Sequence, residues 1–431
     1  MKLVMKPSAT KKTKSGAFSA CELHWGELSV AQFLVQFWQQ KPLLLRAFVS
    51  PSSVDSSLDH LLKHAERDDV EARLIRQRRS NWSMKTGPFD RLPSLRSKHW
   101  TVLLQGMDRI HDQAYRLRMA FDFLPHVRID DVMISVASEG GGVGPHLDEY
   151  DVFLVQGCGS RRWRWGYQKE QSFQPDKPLK LLQQFTPQFE AVLEPGDVLY
   201  LPPRWAHDGI ALEPCSTWSV GFRAPSRHEF LQHFLIEAAE SLEGPNPRYQ
   251  DFGLRASKQA GRIPARLAST FAQWAADFRS NRRVVEKALG RFLSEPAPNA
   301  WFEGPRKRLA RHHWLERSLS VGIALHPASR MVYDTRKIWL NGEPFGAPNA
   351  LLRKLADQRY LNGKQLEALL TPKLAATLSN APTTGSKAVT NLQDASECKK
   401  TVEFQQLIGQ LFAWYQQGWI AFFDESPSQR I

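Results

Sequence analysis

The chain has 431 residues, 42% hydrophobic and 23% charged. That balance belongs to globular proteins and excludes a wholly disordered, collagen-like or low-complexity chain. No apolar run approaches the roughly 20 residues a membrane-spanning helix needs. At about 150 residues per domain the length predicts roughly three domains, and such a chain buries a core without disulfide staples. The net charge of +13 favours polyanionic surroundings such as ribosomal RNA, with plain solubility as the alternative. The four cysteines, Cys21, Cys158, Cys215 and Cys398, form no CxxC pair and suit free thiols in a reducing, cytoplasmic compartment.

Residues 1–20 carry five lysines and no acid, and lack the apolar core of a secretory signal, so they read as a disordered basic tail. A helix begins at Ser29, with Val30, Phe33, Leu34 and Phe37 on one face, and Lys41-Pro42 ends it. Strands are predicted at 43–45, 102–104 and 132–136. Residues 132–223 are β-rich, with short runs at 152–155, 161–165, 191–193, 198–201 and 217–222 between Gly, Pro and Asp turns, as in a barrel or sandwich.

At Pro225 the pattern turns helical. Ser226 and Glu229 make a capping box, followed by Phe230, Phe234 and Ala238 at helical spacing. A second helix carries Leu267, Phe271, Trp274 and Phe278, and a third spans about 283–293. This stretch is too small for an ample core of its own, so its stripes are expected to pack on another domain or subunit. Strands at 338–340 and 419–423 and helices around 351–355, 366–370 and 404–415 suggest a winged-helix-like end. Residues 381–399 read as a polar loop. His312-His313, among Arg306, Lys307, Arg308 and Arg311, reads as an exposed basic patch.

The chemistry is carried by Gly140-Gly141-Gly142-Val143-Gly144-Pro145-His146-Leu147-Asp148. In a strand, positions i and i+2 share a face, so His146 and Asp148 project together. A second segment, 193–207, has a Pro-Gly-Asp turn, a short apolar strand, a Pro pair and then His207. Two imidazoles and one carboxylate on one face of an octahedral ion form the facial triad that suits non-haem iron(II) and leaves three positions open.

These segments resemble a cupin-type JmjC domain. They are similar, more narrowly, to the bacterial ribosomal oxygenases that hydroxylate an arginine of large-subunit ribosomal protein uL16. The matching stretches are 144–153, Trp163-Arg164-Trp165-Gly166, 195–207 and 219–225. The resemblance implies an α+β chain with a double-stranded β-helix (jelly-roll) catalytic domain at 21–225. A helical dimerisation domain at 226–320 and a winged-helix-like domain at 321–431 would follow. It implies iron(II) held by His146, Asp148 and His207, and 2-oxoglutarate as co-substrate, decarboxylated to succinate as a C–H bond is hydroxylated. Arg161 stands where the family places the basic residue for the distal carboxylate. Many relatives use Lys there, and a guanidinium meets the same need with two hydrogen bonds.

Val143 lies where relatives often place a supporting hydroxyl, leaving Thr217 and Ser219 as the polar candidates. Glu149 and Asp151, with Glu139 and Asp208, are the acids expected to meet a substrate guanidinium. Three other readings stay open: a JmjC hydroxylase or demethylase acting on His or Lys of another protein, a metal cupin without 2-oxoglutarate, and a non-catalytic winged-helix nucleic-acid-binding protein.

Overall fold

The computed structural model describes residues 20–54, 57–79, 81–242, 248–250, 263–277, 282–378 and 392–425. Residues 1–19 of the basic tail, Phe278 and residues 381–391 of the polar segment lie outside these. The chain divides into two compact units: 1–224 with 296–330 and 349–431, and 225–295 with 331–348. Both are discontinuous in sequence, whereas the sequence reading drew contiguous domains. The boundary before Pro225 coincides with the change to helical pattern.

In the first unit, α1 (Val30–Gln36) starts at Ser29, whose hydroxyl and the Gln32 side chain cap each other's backbone. Eleven strands follow: β1 (Leu43–Leu45), β2 (Ala72–Arg78), β3 (Asn81–Thr86), β4 (Trp100–Leu104), β5 (Ile129–Ala137), β6 (Asp151–Gln156), β7 (Arg161–Tyr167), β8 (Phe189–Leu193), β9 (Val198–Leu201), β10 (Trp205–Ala211) and β11 (Cys215–Phe222). Short helices α2 (Leu58–Lys63) and α3 (Asp112–Met119) lie among the first of them. Eight strands form one sheet in the order β1-β9-β6-β11-β5-β4-β2-β3, and three form a second, β10-β7-β8. All pairings are antiparallel.

Alternation sorts the side chains of the large sheet into two layers. On one face Val132, Ile134 and Val136 of β5, Phe153 and Val155 of β6, and Trp218, Val220 and Phe222 of β11 join α1 in the main core. The intervening residues, among them Ser135, Leu154, Thr217 and Ser219, face a cavity closed by Arg161 and Trp163 of β7 and His207 of β10. This is the jelly-roll layout. Three arginines in β2, and the polar Asn81, Ser83, Lys85 and Thr86 of β3, leave no apolar run, so neither strand is predicted from the sequence.

The second unit opens on α4 (Arg227–Glu240), whose Ser226–Glu229 capping box forms as predicted. Helices α5 (Ala265–Asp277) and α6 (Arg282–Ser294) follow. Phe234 and Ala238 of α4 pack on Ala288 of α6. After α7 (Arg311–Val321) and β12 (Gly322–Leu325), which belong to the first unit, the chain returns with a small sheet of β13 (Met331–Tyr333), β14 (Ile338–Leu340) and β15 (Glu343–Phe345). Gly290 of α6 lies so close to the buried Trp339 of β14 that a Cβ would fall 2.1 Å from the indole ring. Gly290→Ala should therefore lower stability by about 1–3 kcal/mol through overpacking, despite the helix preference for Ala of about 1 kcal/mol; thermal unfolding measures it.

The remainder of the first unit is α8 (Ala350–Gln358), β16 (Tyr360–Asn362), α9 (Gly363–Leu378), α10 (Leu392–Gln416) and β17 (Ile420–Phe422), with β16-β12-β17 as a third small sheet. Helix α10 begins at Leu392, so the last part of the segment read as a loop is helical; its Ser, Lys and Glu content hid the extension. Among the described residues, no helix is long and apolar enough to cross a membrane, and Cys21, Cys158 and Cys215 are free thiols.

Half-buried His126 sets an acid limit. Its Nε2 lies 2.9 Å from the Asp357 carbonyl, and burial, then the charges of Arg359 and Arg118, lower its pKa to about 3. The unfolded chain takes up the proton first, near the ordinary 6.5. Stability from this group is thus complete above about pH 6.5 and is lost as pH falls toward 3. Denaturant midpoints should decline over that window, and His126→Gln should flatten the slope.

Candidate metal and co-substrate site

The loop between β5 and β6 brings the glycine-rich segment against β10. Gly144 takes a positive φ of 79°, and a Cβ there would meet Leu181 and the Trp82 ring within 3 Å. This turn delivers His146 to a single β-bridge with His207, sealed by two backbone hydrogen bonds of 3.1 and 2.9 Å. The His146–Asp148 pair is thus not a full strand, yet both side chains line the same cavity as His207.

Each imidazole is oriented from behind. The Nδ1 of His146 lies 2.9 Å from the Gly144 carbonyl, and that of His207 lies 3.0 Å from the Trp205 carbonyl. With Nδ1–H donating, both Nε2 atoms offer lone pairs. His207 Nε2 stands 3.7 Å from an Asp148 carboxylate oxygen, and one donor atom from each of the three residues lies within 4.8 Å of the others. Burial, reinforced by neighbouring His146, lowers the pKa of His207 to about 4, so it is neutral at physiological pH. Two neutral imidazoles and a carboxylate could hold a divalent metal with open positions.

The cavity measures about 310 Å3. Arg161 reaches into it from β7, with 4% of its surface exposed. Its Nη1 donates to Ser135 Oγ at 3.2 Å, while Nε and Nη2 are buried without a hydrogen-bond partner. A buried guanidinium with two unsatisfied N–H groups, sharing a cavity with a metal triad, fits the distal carboxylate of a keto-diacid. Thr217 and Ser219 line the same wall from β11. Thr217 already donates to Gln156 Oε1 at 3.1 Å. The hydroxyl on the arginine comes from Ser135, which the sequence reading overlooked. Its signal was the alternation of 131, 133 and 135 against the apolar 132, 134 and 136.

The acids divide differently from expectation. Asp151 is fully buried on the opposite face of β6, where it accepts from Tyr200 Oη at 2.6 Å and Gln39 Nε2 at 2.9 Å. It braces the core and cannot meet a substrate, which corrects the sequence expectation. Glu149 is exposed and outside the cavity lining. Glu139 pairs with Lys98 at 2.7 Å, and Asp208 is buried against Arg164. The acids that do line the cavity beside the triad are Asp130 and Asp131. Burial, then the charges of Asp108 and Asp130, raise the carboxyl of Asp131 to about 7.

Residues 116–230 match a family described as the JmjC domain, and residues 277–381 match a ROXA-like winged helix. The chain is 31% identical to the ribosomal protein uL16 3-hydroxylase of Escherichia coli over 377 residues, 86% of this chain and 94% of the relative. The chain belongs to the JmjC ribosomal oxygenases. A probable ribosomal oxygenase of Haemophilus influenzae is 36% identical over 203 residues, 45% of this chain and 49% of that one. The X-ray structure of E. coli YcfD superposes with a TM-score of 0.72 at 27% identity, covering 94% of this chain and all of that one. The same protein in complex with cobalt and 2-oxoglutarate gives 0.71 at 26% identity over 94% and 99%. This ribosomal oxygenase is therefore a 2-oxoglutarate- and iron(II)-dependent enzyme, and its donor set fits that metal. The winged-helix match starts at 277, upstream of the 320/321 boundary expected from the sequence.

Proposed function

We propose that this oxygenase hydroxylates an arginine side chain of large-subunit ribosomal protein uL16 in the cytoplasm. The uL16 3-hydroxylase relative supports the substrate. The carrying observation is Arg161, whose unpaired guanidinium shares one cavity with His146, Asp148 and His207. In this reading those three hold iron(II), and Arg161, braced by Ser135, receives the distal carboxylate of 2-oxoglutarate. Thr217 and Ser219 supply polar contacts along the same wall. When bound, the metal and 2-oxoglutarate would let molecular oxygen, the oxidant, place one atom on an unactivated C–H bond while the other ends in succinate as carbon dioxide is lost. Met133, Val152, Leu154 and Trp163 line the cavity with apolar surface, which excludes water and aims the substrate side chain.

A basic enzyme acting on a basic ribosomal protein needs local acids. Asp130 and Asp131 are positioned to receive the target guanidinium, whose charge would favour the ionised form of Asp131. A second cavity, of about 640 Å3, shares Gln105 with the first and is lined by Asp68, Asp69, Glu71 and Glu303. It offers acid contacts to the basic chain flanking the target. Asp130→Asn should raise the KM for the protein substrate severalfold and leave that for 2-oxoglutarate unchanged, as steady-state kinetics with each varied would report.

We assign 21–225 to catalysis, 226–320 to homodimerisation and 321–431 to the winged-helix-like region. Leu235 and Ile236 of α4 and Phe271 and Trp274 of α5 are exposed apolar residues that support a dimer contact. The exposed His312-His313 patch at the start of α7 supports proximity to ribosomal RNA. The test is mass spectrometry of uL16 incubated with enzyme, iron(II) and 2-oxoglutarate. A gain of one oxygen on an arginine supports the assignment. Co-substrate turnover with oxygen on a His or Lys of another protein would replace it.

A further inference from the structure

A second set of nitrogen donors lies behind the large sheet. Trp218 sits between the cavity-lining Thr217 and Ser219 on β11 and so points to the opposite face, into the main core. The ring of His111, at the N-terminus of α3, packs edge-on against that indole at 5.4 Å. His60 and His64, four residues apart at the end of α2, turn their rings toward it. The ring centroids are 5.5 Å (His60–His64), 5.9 Å (His60–His111) and 5.7 Å (His64–His111) apart. One nitrogen from each residue lies within 4.8 Å of the other two, the same closeness that the catalytic triad shows.

His64 makes this more than a cluster of rings. Both its nitrogens are buried, and neither has a hydrogen-bond partner. A buried polar atom of that kind calls for a partner the protein does not itself supply. Burial lowers the pKa of both His64 and His111 to about 4, so at neutral pH each offers a lone pair. His111 Nδ1 accepts from the Ala114 amide at a long 3.4 Å. Coordination through Nε2 would move the proton to Nδ1 and exchange that weak contact for a metal bond. Among the described residues no carboxylate belongs to the cluster, which disfavours calcium and magnesium, whereas three imidazoles suit zinc and its neighbours.

We propose that His60, His64 and His111 form a second metal site, which takes one zinc-class divalent ion and clamps α2 to α3 behind the catalytic sheet. The inference is independent of how the catalytic cavity is read. Its test is zinc binding by the full-length, chelator-treated protein, measured as ions per chain and as the zinc-dependent rise in Tm. The His146→Ala/Asp148→Ala double variant removes the catalytic site and should still bind one zinc with a raised Tm. Adding His60→Gln should abolish both readouts, and magnesium should produce neither. His60 is exposed, so His60→Gln alone should fold and leave iron-dependent turnover unchanged. A double variant that binds no zinc at stoichiometric concentration overturns the proposal. So does a second zinc that persists after both His60→Gln and His64→Gln.

Discussion

Asp148→Ala should abolish hydroxylation and leave the fold standing. The carboxylate is the one anionic donor of the three residues whose ligand atoms converge, so without it two neutral imidazoles remain. Two imidazoles hold iron(II) weakly and fix no facial geometry. The expected loss in kcat is at least about 10³-fold, equivalent to about 4 kcal/mol of barrier. The side chain is 21% exposed, and the His207 ring 3.7 Å away is neutral by its lowered pKa. Removal therefore strands no buried charge, and Tm should move by only a few degrees. Stoichiometric metal analysis, turnover and thermal unfolding on one sample separate the effects. A variant that loses activity but keeps full iron binding would take Asp148 out of the ligand set. Asp148→Asn is the sharper probe, since it keeps shape and removes charge.

The candidate site was legible where chemistry and alternation coincide. His146, Asp148 and His207 stand out because their residue types and order match a metal triad, and the fold brings them together through the His146–His207 bridge. Arg161 was legible because Arg161, Trp163 and Trp165 share one face of β7, and Arg161 and Trp163 line the cavity. Asp151 was misread because nearness in sequence stood in for direction. Val152 and Leu154 face the cavity, so the period of two sends Asp151 and Phe153 to the core. The same rule would have found Ser135, eleven residues before His146. Other features were not legible at all. The pairing of α2 with α3 that gathers three histidines joins residues about fifty positions apart. Apart from the boundary at Pro225, the division into compact units depends on long-range packing that no local pattern encodes.

The 2-oxoglutarate requirement turns on Arg161→Met. Truncating one partner of a buried, hydrogen-bonded charge pair costs about 2–5 kcal/mol, which predicts a rise in the co-substrate KM of roughly 30-fold to several thousand-fold. If the arginine holds the end of the co-substrate far from the reacting keto group, as proposed, saturating 2-oxoglutarate should recover much of kcat. The effect on stability should run the other way. Without co-substrate, the folded chain holds a guanidinium with 4% exposure, one hydrogen bond to Ser135 and two unpaired donors. A buried charge so poorly compensated destabilises the fold, and a hydrocarbon of similar length relieves it. The Met variant should therefore unfold at a Tm equal to or above that of the wild-type chain when both lack ligand. Added 2-oxoglutarate should raise the wild-type Tm and leave the variant's unchanged. Were Arg161 a structural residue only, the signs would invert: KM would stay fixed and the variant would melt lower. Both signs together would show that the co-substrate completes the pair that the buried cation lacks.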